Sequence, residues 1–302
     1  MTREILHIGF MKTGTTALQR HFFAKHPEIM NIGKPYADLA IGTMLQTISI
    51  EDDAYYPREK IEELLKCYRA KKPHTLLFSE EKLTNTPLKK IAAKRLKELF
   101  PEARILVTIR NQFDSIKSYY AQKGRTLDGP EPYAFRHVSI ENYIKYCMKK
   151  RPRHNFLGTV DYNTTVEFYE TLFGKQRIFV FLYEEFLNDS ARFIARLAEV
   201  LDVDIDRARQ AMAGQHENIR RSEGVAKYQA LRSNFLWGVP LSRYIPGSRL
   251  IKETLINALG RNRLEAEIPG DLQLQLAELY RPGNRALRER FDLPLDRFGY
   301  PL

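Results

Sequence analysis

The feature that most constrains this chain lies at its start: Ile5-Leu-His-Ile-Gly9-Phe-Met-Lys12-Thr13-Gly14-Thr15-Thr16-Ala-Leu-Gln-Arg20. It reads as a buried strand, a tight turn carrying one lysine, and the first turn of a helix. A strand that feeds through small residues into a helix N-terminus leaves several backbone N–H groups unpaired beside the positive end of the helix dipole. Such a turn suits an anion. Lys12 adds a full charge, Gly14 lets backbone come close, and Thr15 and Thr16 add hydroxyls at cap or first-turn positions. The same residues also suit an ordinary strand-to-helix connection with a solvated lysine, so the rest of the chain has to decide between the two.

Downstream, strand-like and helix-like segments alternate. Ala17, Leu18, His21 and Phe22 recur at helical spacing, which predicts a helix over 15–25. Residues 35–56 read as an irregular loop region framing a pocket, and 58–70 as a helix with Ile61, Leu64, Leu65 and Tyr68 on one face. A short apolar strand at 75–78 ends in Ser79-Glu80-Glu81-Lys82, and Thr86-Pro87 reads as the start of a helix that stops at Phe100-Pro101. A third strand over 105–109 ends at Arg110, with a helix expected from Asp114. Helices are expected at 139–149 and 161–173, then a fourth strand at 177–183, then a helix capped by Asp189 or Ser190.

Alternation of this kind predicts an α/β fold: a parallel sheet flanked by helices in three layers, like that of P-loop nucleotide-binding proteins. One domain over 1–302 is expected, with an α/β nucleotide-binding core at 1–201 and a mainly helical extension at 202–302 that closes with a helix near Leu272 to Tyr280.

In an open parallel sheet, ligands sit beyond the carboxyl ends of the strands. Lys12 follows the first strand, Glu80 and Glu81 the second, and Arg110 the third, so all fall on one sheet edge. The Walker A loop, G-x-x-x-x-G-K-[ST], has its lysine directly after the glycine; here Lys12 precedes Gly14 by two residues. A magnesium-dependent kinase of that class also needs a metal-holding aspartate at a strand end. These strands end in Ser-Glu-Glu, Arg-Asn and Tyr-Glu-Glu. No obligatory metal is expected, and no Cys/His spacing resembles a zinc site.

Gly9-Phe-Met-Lys12-Thr-Gly-Thr-Thr16 resembles the 5′-phosphosulfate loop of sulfotransferases that use 3′-phosphoadenosine 5′-phosphosulfate (PAPS). Arg104 to Arg110, then Asn111, Gln112 and a helix bearing Ser118, is similar to their 3′-phosphate motif. Looser likeness, of the bacterial and carbohydrate type, extends to Val180–Leu187, Tyr280-Arg-Pro-Gly-Asn284 and Phe298-Gly-Tyr-Pro301. Two positions depart from the pattern: Met11 and Gln112 stand where the family usually has proline.

The resemblance implies that Lys12 stabilises the leaving phosphate and that Thr13, Gly14, Thr15 and Thr16 cradle the 5′-phosphosulfate. It further implies that Arg110 and Ser118 hold the 3′-phosphate, with Arg221 standing in for a late basic loop, and that PAP is the product. Glu81-Lys82 is similar to the glutamate-lysine pair of glycan sulfotransferases, which makes Glu81 the first candidate base; Glu80 is a close rival, and a histidine (His7, His21, His26, His74, His137, His154 or His216) is a third option. The implied reaction is sulfuryl transfer to a hydroxyl or amine of a glycan or small molecule. The alternatives are a P-loop nucleotide kinase and a non-catalytic nucleotide-binding protein on the same fold.

The formal charge of +11 suits an anionic partner. No basic tail or nucleic-acid module accompanies it, so nucleic acid is not expected. No apolar run reaches the length of a membrane span and the chain opens directly into a strand, so a cytoplasmic location is expected. Phe235, Trp237 and Tyr244, near Arg243 and Arg249, suit an acceptor platform or a peripheral membrane contact. Cys67 and Cys147 read as ordinary reduced residues.

Overall fold

A computed structural model describes residues 2–124, 138–149, 155–213, 254 and 266–302. In chain order these form β1 (Arg3–His7), α1 (Thr15–Ala17, continuing as a π-helix over Leu18–Phe23), β2 (Ile29–Asn31), α2 (Leu39–Ile50), α3 (Arg58–Ala70), β3 (Thr75–Ser79), α4 (Lys89–Leu99) and β4 (Arg104–Ile109). They continue with α5 (Gln112–Tyr119), α6 (Ile140–Lys149), α7 (Phe156–Thr159), α8 (Tyr162–Phe173), β5 (Ile178–Leu182), α9 (Tyr183–Asn188), α10 (Ser190–Leu201), α11 (Ile205–Met212) and α12 (Gly270–Phe291).

The strands form one sheet in the order β2-β3-β1-β4-β5, and every neighbouring pair is parallel. The α/β class and the helix-flanked parallel sheet are therefore as expected. Strands covered on both faces read as continuous apolar runs. That is the pattern of Thr75–Ser79, buried throughout, and of Arg104–Ile109, buried beyond its first residue. Ile5, Leu77, Leu106 and Phe181 from four strands pack with Leu18, Phe22 and Phe23 after the opening turn and with Phe193, Ile194 and Leu197 of α10.

Several elements differ from the sequence expectation. The predicted loop at 35–56 contains α2, capped by Asp38, whose carboxylate accepts from Ala40 N at 2.7 Å and Ile41 N at 3.2 Å. Its last turn is tied off by the buried Arg95 of α4, which donates to the carbonyls of Ile48 at 3.2 Å and Glu51 at 2.8 Å. The short strand β2 was not foreseen; it pairs with β3 through Ile29–Asn31. The helix expected over 15–25 is α-helical for one turn only before Ala24 N bonds Gln19 O, a π-type step. Helix α4 begins at Lys89, later than Thr86-Pro87 suggested, with Thr86 Oγ1 accepting from Leu88 N ahead of it. Helix α5 begins at Gln112, so Asp114 lies within the first turn instead of capping it. The closing helix runs on to Phe291, through Pro282.

The chain separates into two compact units, one comprising Met1–Asn111, Thr159–Glu217 and Tyr280–Leu302, the other Gln112–Gly158 and Asn218–Leu279. The first holds the sheet. In the second, Tyr119 stacks on Phe156 with ring centroids 3.8 Å apart, and Tyr120 donates to Val138 O at 2.7 Å. Among the described residues no helix is long and apolar enough to cross a membrane.

Candidate active site

The turn after β1 sits at the carboxyl edge of the strand flanked by β3 and β4. Two residues there take left-handed backbone: Lys12 at φ 69° and Gly14 at φ 80°. At Gly14 this is the natural residue; at Lys12 it is a conformation that L-residues rarely adopt, a strain of the kind that clusters at functional sites. A Cβ at Gly14 would also lie 2.6 Å from Cε2 of Tyr183. The helix begins immediately after Gly14, whose carbonyl accepts from Ala17 N at 3.1 Å, so the N–H groups of Thr15 and Thr16 are the ones that lack intrahelical acceptors by position.

The hydroxyls of the turn do not act alike. Thr16 is exposed, while Thr13 and Thr15 are each 2% exposed. Thr13 Oγ1 donates to Phe10 O at 2.6 Å and meets Thr108 Oγ1 at 2.8 Å, so its side chain is turned into the sheet. Contact from Thr13 to a ligand is left to its backbone N–H.

Arg110, just past β4, donates through NH1 to Lys12 O at 3.3 Å, and its guanidinium lies over the Tyr183 ring at 4.9 Å. Arg110, Lys12 and Gly14 are thus gathered around Tyr183, the first residue after β5. Sequence reasoning missed Tyr183 as a site residue, although the Tyr-Glu-Glu strand end was visible. Arg110 is itself held from behind: Tyr162 donates to its carbonyl at 2.6 Å. Next to it, Asn111 N donates to Glu184 at 2.8 Å and the Asn111 side chain donates to Phe298 O at 3.0 Å and Gly299 O at 2.8 Å. Tyr300 OH donates to the second oxygen of Glu184 at 3.0 Å. Burial pushes the Glu184 carboxyl above its ordinary pKa, against the hydrogen bonds from Asn111 and Tyr300 and the nearby charge of Arg110.

The two glutamates after β3 separate clearly. Glu80 has a fully buried side chain: Oε1 pairs with Lys34 at 2.8 Å and accepts from Lys82 N at 3.0 Å, and Oε2 accepts from Tyr36 OH at 2.5 Å. Its carboxylate and burial raise the Tyr36 pKa, burial being the larger cause. Glu80 therefore caps the turn after β3 and is ion-paired to Lys34. Glu81 is half-buried in the short 3-10 turn Glu81–Leu83. Ser118 is half-buried on α5, in the second unit. Arg221, the loop at Arg243 to Arg249, Phe235, Trp237, Tyr244, His137, His154 and His216 lie outside the described residues. His7 is 1% exposed beneath the turn.

A lysine-bearing turn at the carboxyl edge of a parallel sheet, with an arginine from the neighbouring strand hydrogen-bonded to it, is an α/β arrangement whose charge suits an anion. A family profile described as the sulfotransferase domain matches residues 2–234, and the chain belongs to that family. The crystal structure of a sulfotransferase from Alicyclobacillus acidocaldarius aligns at 16% identity over 99% of this chain and 99% of that chain, with a TM-score of 0.57. The sulfotransferase domain from the curacin biosynthetic pathway aligns at 13% identity over 92% of this chain and 97% of that chain, with a TM-score of 0.46. Only the first is close enough to speak for the fold. No curated protein matches the sequence.

Proposed function

We propose that this protein transfers a sulfuryl group from PAPS to a hydroxyl or amine of a glycan or small molecule, releasing PAP. The observation that carries the reading is the junction of the two phosphate motifs, Arg110 NH1 on Lys12 O at 3.3 Å. It joins positively charged residues from adjacent parallel strands at one edge, which suits a ligand with two separated anionic groups. The donor supplies a sulfuryl group on a phosphate oxygen, and transfer through a loose transition state asks of the protein mainly positioning and charge stabilisation.

Within this reading Lys12 neutralises charge on the leaving phosphate, while the backbone of Thr13, Gly14 and Thr15 and the exposed hydroxyl of Thr16 hold the 5′-phosphosulfate. Arg110 forks onto the 3′-phosphate, the group to which the resemblance also assigns Ser118 and Arg221, and a donor lacking it forgoes that charge-assisted contact. Glu81 takes the acceptor proton. Glu80, with both oxygens already engaged by Lys34, Lys82 and Tyr36, is left to hold the strand end. No metal is assigned a role, and the reading places the protein in the cytoplasm with PAPS as cosubstrate.

Lys12→Ala tests the chemistry. Transfer of radiolabelled sulfate from PAPS to a panel of glycans and phenols is expected to fall by about a hundredfold or more, the scale of a lost oxyanion donor, with an unchanged circular dichroism spectrum. Unchanged turnover would remove Lys12 from the mechanism.

A further inference from the structure

Beneath the turn runs a buried polar chain that the reaction does not use. Its contacts are Thr13 Oγ1 to Phe10 O at 2.6 Å, Thr13 Oγ1 to Thr108 Oγ1 at 2.8 Å, Thr108 Oγ1 to His7 Nε2 at 3.4 Å, His7 Nδ1 to Ser79 Oγ at 2.7 Å, and Ser79 Oγ to Gln19 Nε2 at 2.9 Å. Every side chain in it is at most 4% exposed. It starts on the π-helix, crosses β3, β1 and β4, and finishes in the anion turn.

The direction of each bond follows from one end. The Phe10 carbonyl has no proton, so Thr13 gives its only hydroxyl proton there. Thr108 must then donate to Thr13, which leaves His7 Nε2 as the donor to Thr108. A neutral ring with its proton on Nε2 presents a bare Nδ1, so Ser79 donates to it, and the Ser79 oxygen accepts from Gln19. No link is left without a donor or an acceptor. A proton on Nδ1 as well would strand the Ser79 hydroxyl proton.

We infer that His7, neutral and protonated on Nε2, is a positioning residue that pins Thr13, and with it the backbone of Lys12 and Gly14, over the end of the sheet. The step from anchored turn to anchored PAPS rests on the function proposed above; the chain itself does not. Gly9 supports the assignment independently. A Cβ there would stand 2.5 Å from Thr108 Oγ1 and 2.6 Å from His7 Nε2, so the absence of a side chain keeps that link open. Burial alone pushes the His7 pKa down to about 3, which keeps the ring neutral across the working range.

Two measurements test the inference on the full chain. The first is nitrogen NMR of His7 without ligand, which is expected to give a protonated Nε2 and a bare Nδ1, unchanged between about pH 5 and pH 8. A proton on Nδ1, or titration within that range, would overturn it. The second compares Thr108→Val, which keeps the shape and loses the hydroxyl, with Thr108→Ser, which keeps the hydroxyl. Valine is expected to weaken binding of adenosine 3′,5′-bisphosphate by about tenfold or more, and serine to stay within about twofold of wild type. Equal affinity in both variants, or equal loss in both, would leave packing as the only role of position 108 and overturn the inference. Should the wild-type protein not bind the bisphosphate at all, the PAPS reading falls, and the His7 tautomer still decides the chain.

Discussion

Gly14 carries two constraints at one position, a left-handed backbone at φ 80° and a Tyr183 ring where its side chain would be. Left-handed backbone costs an L-residue about 1–2 kcal/mol, and the ring contact cannot be relieved without disturbing Arg110 above it. Gly14→Ala is therefore expected to lower stability by at least that amount in denaturant unfolding and to weaken anion binding. A variant as stable as wild type would show that the turn is not held as described. His7 makes a different residue-scale prediction. Its pKa is about 3 when folded and 6.5 as the ordinary value, so the unfolded chain binds a proton that the folded one refuses over that interval. Stability should fall as pH drops from about 6.5 towards 3, with a slope of about 1.4 kcal/mol per pH unit from this residue. His7→Gln, which keeps a donor and an acceptor but does not titrate, should flatten that share of the slope; an identical profile would contradict the neutral buried imidazole.

At the scale of elements, the C-terminal segment is part of the site's support. Asn284 of α12 donates to Pro301 O at 2.9 Å, Arg281 to Leu302 O at 3.0 Å, and Asn111 reaches Phe298 and Gly299 from the strand side. The two late stretches that carried only a loose resemblance are thus joined to each other and to the residue after Arg110. Asn111→Ala, which keeps the backbone donor to Glu184 and loses the two bonds to the tail, is expected to cost about 1–3 kcal/mol in denaturant unfolding, because two hydrogen bonds are lost together; a change under about 0.5 kcal/mol, ordinary for a surface substitution, would mean the tail is held by other contacts. The strongest strands were legible because β1, β3, β4 and β5 are short apolar runs ending at charged or small residues. Helix α2 was not, since Leu39–Ile50 is rich in β-branched residues, contains Gly42 and lacks a polar face with a helical period. Its formation depends on tertiary support, the Asp38 cap and Arg95 from another helix. Strand β2 is three residues long and is defined by pairing to β3, a contact no local pattern reports.

For the whole molecule, the sheet edge where Lys12 and Arg110 meet could be read from strand order alone, because parallel sheets put their ligands there. The roles of the individual side chains could not. Thr13 looked like a ligand donor and is turned inward; Glu80 and Glu81 differ by one position, and only packing against Tyr36 and Lys34 tells them apart. Tyr183 lies far along the chain from the turn it covers. The net charge of +11 fits an anionic donor and does not choose one. That choice is made by thermal unfolding with adenosine 3′,5′-bisphosphate, compared with ATP plus magnesium. At about a hundredfold over its dissociation constant, the bisphosphate is expected to add about 2.7 kcal/mol of stability, with little from ATP and magnesium at the same concentration. Stabilisation by ATP and magnesium with none by the bisphosphate would contradict the account.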